Sequence, residues 1–95
     1  MKTYLVGYDL NAPGKNYDPL LKALREDFEG YYWHHLDSTW IIKTDLSATE
    51  IRDKLKPPLI DGNDELLVVR LQGNWATWGI SEKGSQWLHS NMSYD

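Results

Sequence analysis

The residues best suited to chemistry stand near the front of this sequence: Tyr8, Asp9 and Asn11, where the run Tyr4-Leu5-Val6-Gly7 gives way to polar residues. Apolar and aromatic residues of this kind fit a pleated strand, whereas aspartate is disfavoured there. A residue that breaks a local rule without evident need is where function is often found. A carboxylate closing a strand is a hard oxygen ligand, suited to Mg²⁺ or Mn²⁺. Asp9 is therefore the candidate metal ligand, where an ion would activate water or stabilise a phosphoryl oxyanion. The competing reading makes Asp9 a cap for the turn at Ala12-Pro13-Gly14, a common use of aspartate. Residue types alone leave the two readings open. One carboxylate is a poor site by itself, but a nearby two-fold axis would let the Asp9 side chains of two copies share an ion.

A second constellation is Trp33-His34-His35-Leu36-Asp37-Ser38-Thr39-Trp40. Adjacent histidines on a strand point to opposite faces, which argues against a two-histidine metal site. One of them, His34 or His35, is suited to acid–base work near neutral pH, against the plainer reading of a strand histidine with a satisfied hydrogen bond. Asp37, Ser38 and Thr39 read as turn chemistry rather than a nucleophilic set, since no Gly-x-Ser-x-Gly elbow accompanies them. The third is Trp75, Trp78 and Trp87, which either stack nucleic-acid bases or pack into a core or dimer interface. No Gly-rich phosphate loop or dinucleotide fingerprint is present.

Composition narrows the classes. Ninety-five residues make one domain, 1–95, with a core at 1–73 and an aromatic tail at 74–95. Five Trp and six Tyr supply large buried areas to so short a chain. A net charge of −4 with scattered basic residues argues against broad coating of nucleic acid, leaving RNA or DNA contact at a local site open. No cysteine is present, so disulfides and thiolate metal sites are excluded and a cytoplasmic location is expected. No apolar run suggests a membrane span and no basic-then-apolar leader suggests secretion.

The elements that must position these residues follow from periodicity. After a first strand ending at Asp9, Asp18-Pro19 reads as an N-cap followed by proline at the first helical position. Tyr17, Leu20, Leu21, Leu24 and Phe28 then form a helical stripe, stopped by Gly30. Residues 31–36 and Thr39–Thr44 read as a hairpin about Asp37-Ser38. Ser47-Ala48-Thr49-Glu50 has capping-box form, opening a helix that ends at Pro57-Pro58. A turn at 61–64 leads to a strand at 66–71, then to a fifth strand or extended arm at 74–80 and a short helix at about 82–89. The order predicts an α+β, ferredoxin-like β-α-β-β-α-β domain, a four-stranded antiparallel sheet with both main helices on one face. Leu67, Val69 and Leu71 then line a second apolar face, which predicts a homodimer, or else the tail folded over its own sheet.

The strand Tyr4-Leu5-Val6-Gly7-Tyr8-Asp9, running into an Asn-containing loop at the front of a short chain of this topology, resembles the small CRISPR-associated adaptation proteins that partner the spacer integrase (Cas-two). It also resembles the VapD-type endoribonucleases of toxin systems. The stretch 33–40 is closer still to short standalone bacterial proteins carrying a SinR-family label, although a repressor's helix-turn-helix is missing. The resemblance covers the chain to about Leu71, and Asp9 is its one chemically specific element. It implies a ferredoxin-like homodimer in which Asp9 faces its dimer mate and serves Mg²⁺-dependent cleavage of RNA or DNA. Tyr8, Asn11 and His34 or Ser38 would orient substrate or water. The scarcity of basic residues and the Trp-rich tail depart from the DNA-scaffold members. The alternative is a non-catalytic adaptor of a defence or toxin-type locus, docking a protein partner through the tail.

Overall fold

The computed structural model describes residues 1–12, 14–28, 30–56, 59–60 and 62–92. The helix stop assigned to Pro57-Pro58 and the turn positions Pro13 and Asp61 lie outside the described residues.

The hydrophobic runs become strands β1 (Lys2–Asp9), β2 (Tyr32–Leu36), β3 (Thr39–Thr44) and β4 (Glu65–Arg70), and the helical stripes become α1 (Asp18–Glu26) and α2 (Ala48–Leu55). The tail adds α3 (Glu82–Asn91). The strands form one sheet in the order β2-β3-β1-β4, every neighbouring pair antiparallel. This split β-α-β arrangement is compatible with a ferredoxin-like fold.

Alternation along the strands sorts side chains between two layers. Tyr4, Val6, Trp40 and Ile42 point toward Leu20, Ala23, Leu24 and Phe28 from the α1 segment and Ile51 and Leu55 from α2, making the main core. Leu66 and Val68 pack against it from β4. Trp33 and Ile41 point the other way, where they meet Leu88 of α3, with Trp75, Ile80, Trp87 and Met92 packed around them. The tail thus folds over the second face of its own sheet. Among the described residues no fifth strand forms; 74–80 crosses as an arm without regular structure.

Two local devices differ in how they meet expectation. The capping box is complete: the Glu50 N–H donates to the Ser47 hydroxyl, and the Ser47 N–H donates to the Glu50 carboxylate. At α1, by contrast, Tyr17 occupies the N-cap without a side-chain cap bond, and Asp18 is the first helical residue. The side chain that serves this terminus is Asn16, whose Oδ1 accepts from the Asp18 N–H at 3.0 Å. The α1 helix therefore starts one residue earlier than the Asp-Pro pair suggests.

Docking of α3 depends on a close approach. The Trp33 indole N–H donates to the Gly84 carbonyl at 3.0 Å inside the second layer. A Cβ on Gly84 would stand 2.9 Å from Ile80 Cγ2 and 3.1 Å from the His35 ring. Glycine lets the helix come near enough for the indole to reach it.

Candidate functional site

Strand register decides what surrounds Asp9. Pairing of Gly7 with Thr39 brings the carboxyl end of β1 under the β2–β3 turn, and the Tyr8 N–H donates to the Ser38 carbonyl at 3.1 Å. On the opposite flank Asp9 pairs with Glu65 at the start of β4. Tyr8, Asp9, Leu10, Leu21, His34, Asp37 and Ser38 line one open cleft of about 310 Å³. Four of the five residues singled out by sequence, Tyr8, Asp9, His34 and Ser38, are thus brought together.

The aromatic floor of this cleft is ordered by hydrogen bonds. The Trp40 indole N–H donates to the Tyr8 hydroxyl at 2.9 Å, and that hydroxyl faces the Asp37 carbonyl at 3.4 Å. Burial pushes the Tyr8 phenol above its ordinary value; the bond from Trp40 pulls it back in part, and the Asp37 carboxylate raises it further. Tyr8 is therefore a neutral hydrogen-bonding group at physiological pH rather than a nucleophile. His34 stacks on Trp40 with ring centroids 3.9 Å apart and planes 12° from parallel. Its Nε2 lies 2.9 Å from the Asp37 carbonyl. A carbonyl only accepts, so Nε2 carries a proton. His35 lies on the other face, beside Trp33, as alternation requires.

Asn11 has a different task. Its side-chain amide donates to the Asn63 carbonyl at 3.0 Å and to the Asp9 carbonyl at 3.4 Å, tying the β1 exit to the turn before β4. The centre of that tie is Asp64, which the sequence reading passed over as a turn residue. Its fully buried carboxylate accepts from the Asn11 N–H at 2.7 Å and the Tyr17 hydroxyl at 2.6 Å, and Lys15 Nζ lies 3.9 Å away. The only sequence hint was its neighbourhood: turn-type residues ahead of a strong strand.

Asp9 and Glu65, both exposed, share one face as direct cross-strand partners, and both line a second shallow hollow with Gly7 and Leu67. Like charges so placed repel. Among the described residues no group of three or more His, Cys, Asp or Glu side chains could cage an ion. The pair fits the looser arrangement usual for Mg²⁺, in which one or two carboxylates hold the ion and water or substrate phosphate completes its shell. The cleft itself carries the carboxylates Asp9 and Asp37 and no Lys or Arg among its lining residues.

The architecture is thus a small α+β domain, a four-stranded antiparallel sheet with three helices, whose β1 exit opens into a carboxylate- and aromatic-lined cleft. No protein-family model, no curated protein and no solved structure matches the chain. No helix among the described residues is long and apolar enough to cross a membrane.

Proposed function

We propose that this chain is a divalent-metal-dependent nuclease acting on single-stranded RNA, of the Cas-two and VapD kind, with Asp9 as its metal ligand. The observation that carries this reading is the convergence of Asp9, His34, Asp37 and Ser38 on one cleft at the β1 exit. Its acidity favours the metal. A phosphodiester approaching Asp9 and Asp37 meets only negative charge until a cation offsets it. When bound, the ion lowers the pKa of a coordinated water and neutralises charge on the phosphoryl oxygens. The chain's own residues do the positioning. Asp9 would hold the ion with Glu65 across the ladder, Ser38 borders the same cleft, and Asn11 with Asp64 fixes the chain just after Asp9.

A homodimer belongs to this reading. The second face is only partly covered by the tail, and Leu36, Leu67 and Val69 are 49%, 60% and 41% exposed. A second copy would cover them, and a two-fold axis near Asp9 would double the carboxylates available to one ion. Such a protein would work in the cytoplasm.

One observation favours the alternative of a non-catalytic adaptor: Trp78, on the arm before α3, is 96% exposed. A large aromatic left in water suits capture of a protein partner. Cleavage of labelled single-stranded RNA with Mg²⁺, Mn²⁺ or EDTA, beside Asp9→Ala, separates the two. Metal-dependent cutting lost in the variant supports the nuclease, and absence of cutting supports the adaptor.

A further inference from the structure

We infer that His34 is the platform on which an unpaired nucleobase stacks, so that the cleft binds its ligand through the heteroaromatic ring as well as through phosphate. The inference deepens the nuclease reading and rests on it for the identity of the ligand. Its basis is the way the imidazole is held. One face of the ring is covered by Trp40, 3.9 Å away and 12° from parallel. One edge is fixed by the 2.9 Å bond from Nε2 to the Asp37 carbonyl. A histidine free to rotate would pay entropy to become a stacking surface; this one is already oriented. It is nevertheless exposed, and it lines the cleft with Leu10 and Leu21.

The remaining features define the ligand. The cleft volume of about 310 Å³ lies at the small end of ligand sites, roughly 300–1,000 Å³, which suits one base rather than a large cofactor. With Nε2 donating to the Asp37 carbonyl, the other ring nitrogen, Nδ1, is the atom that would meet the amino groups of adenine, cytosine or guanine. Tyr32 is 38% exposed and packs against the same Trp40 at 5.3 Å, which extends the aromatic surface along β2 for a neighbouring base. Single strands are held by aromatic stacking combined with basic contacts to the backbone; this cleft supplies the stacking part, with no Lys or Arg among its lining residues. His34 and Asp9 both border the cleft, Asp9 from the end of β1.

The test is binding without cleavage, in EDTA, followed by NMR. The probes are adenosine monophosphate and a short single-stranded oligoadenylate, which distinguish a free nucleotide from a strand. Ring-current shifts of the His34 ring protons and the Leu10 and Leu21 methyls in the unmodified protein are expected with either probe. His34→Ala should weaken binding about 5- to 100-fold, the range one stacked base contributes, whereas His34→Phe, which keeps a plane, should stay within about three-fold of the parent. Unshifted His34 signals, or equal affinity in His34→Ala, would overturn the inference. So would a His34→Phe protein as weak as the alanine variant. Because no metal is present, base stacking without any later cleavage would uphold the platform while sinking the nuclease; cleavage without stacking would do the reverse.

Discussion

Asp9 and Glu65 stand opposite each other on one face, and no Lys or Arg lines the hollow they share. Like charges so placed cost about 0.2–1 kcal/mol. Asp9→Asn is therefore expected to leave thermal stability unchanged or raise it by that amount while abolishing cleavage. A large stability loss would mean that Asp9 is a structural cap. Asp64 makes the opposite case. Its buried carboxylate accepts from Asn11 and Tyr17, and hydrogen bonds to a charged group contribute about 1.5–3 kcal/mol each. Asp64→Ala should cost about 2–4 kcal/mol in urea unfolding. Tyr8 carries a pH signature. Its phenol is raised by burial, so the stability it contributes is complete below the ordinary tyrosine range and lost as pH rises through the higher folded value. Tyr8→Phe should remove that alkaline loss. At neutral pH it should also destabilise by about 1–3 kcal/mol, because it strands the Trp40 indole N–H.

At the scale of elements, the capping box of α2 and the docking of α3 are the informative devices. Hydrogen bonds from Ser47 hold the Glu50 carboxyl below the usual carboxylate range. Its contribution is thus present above that range and lost as pH falls through the depressed folded value. Ser47→Ala should cost about 0.5–2 kcal/mol, and Glu50→Gln should flatten the acid limb of a stability–pH curve. For α3, Gly84→Ala pits helix propensity, worth about 1 kcal/mol in alanine's favour, against collision with Ile80 and His35. The collision should win by about 1–2 kcal/mol, with loss of near-ultraviolet tryptophan signal from the second layer. The contrast between these devices shows what was legible in the sequence. The capping box and the Asp37-Ser38 hairpin are local, so short spacings reveal them. The resting place of α3 depends on Trp33 meeting Gly84, residues far apart in the chain, and the sequence favoured a partner copy over the tail as the cover of this face, whereas the tail packs there. Asp64 escaped notice for the same reason: its partners lie 47 and 53 positions away.

On the scale of the whole molecule, the sheet is a sandwich with unequal covers. Two helices seal one face, while α3 and the arm cover part of the other and leave β4 bare at Leu67 and Val69. Alternation in β4 made both faces visible in the sequence, and the same alternation explains why one stripe is buried and the other is not. A dimer through this surface is expected in light scattering at twice the chain mass of 11.1 kDa, and Leu67→Lys should return it to a folded monomer whose unfolding midpoint no longer rises with protein concentration. In the proposed nuclease an acidic cleft would make cleavage depend on added cation, so the most direct test is cleavage of single-stranded RNA by the purified protein across a Mg²⁺ and Mn²⁺ titration, with Asp9→Asn in parallel. Cutting that rises with metal, stops in EDTA and is absent in the variant is the predicted result. Activity that persists in EDTA or in Asp9→Asn, or no cutting at any metal concentration, would contradict the assignment of Asp9 as the centre of a metal-dependent nuclease.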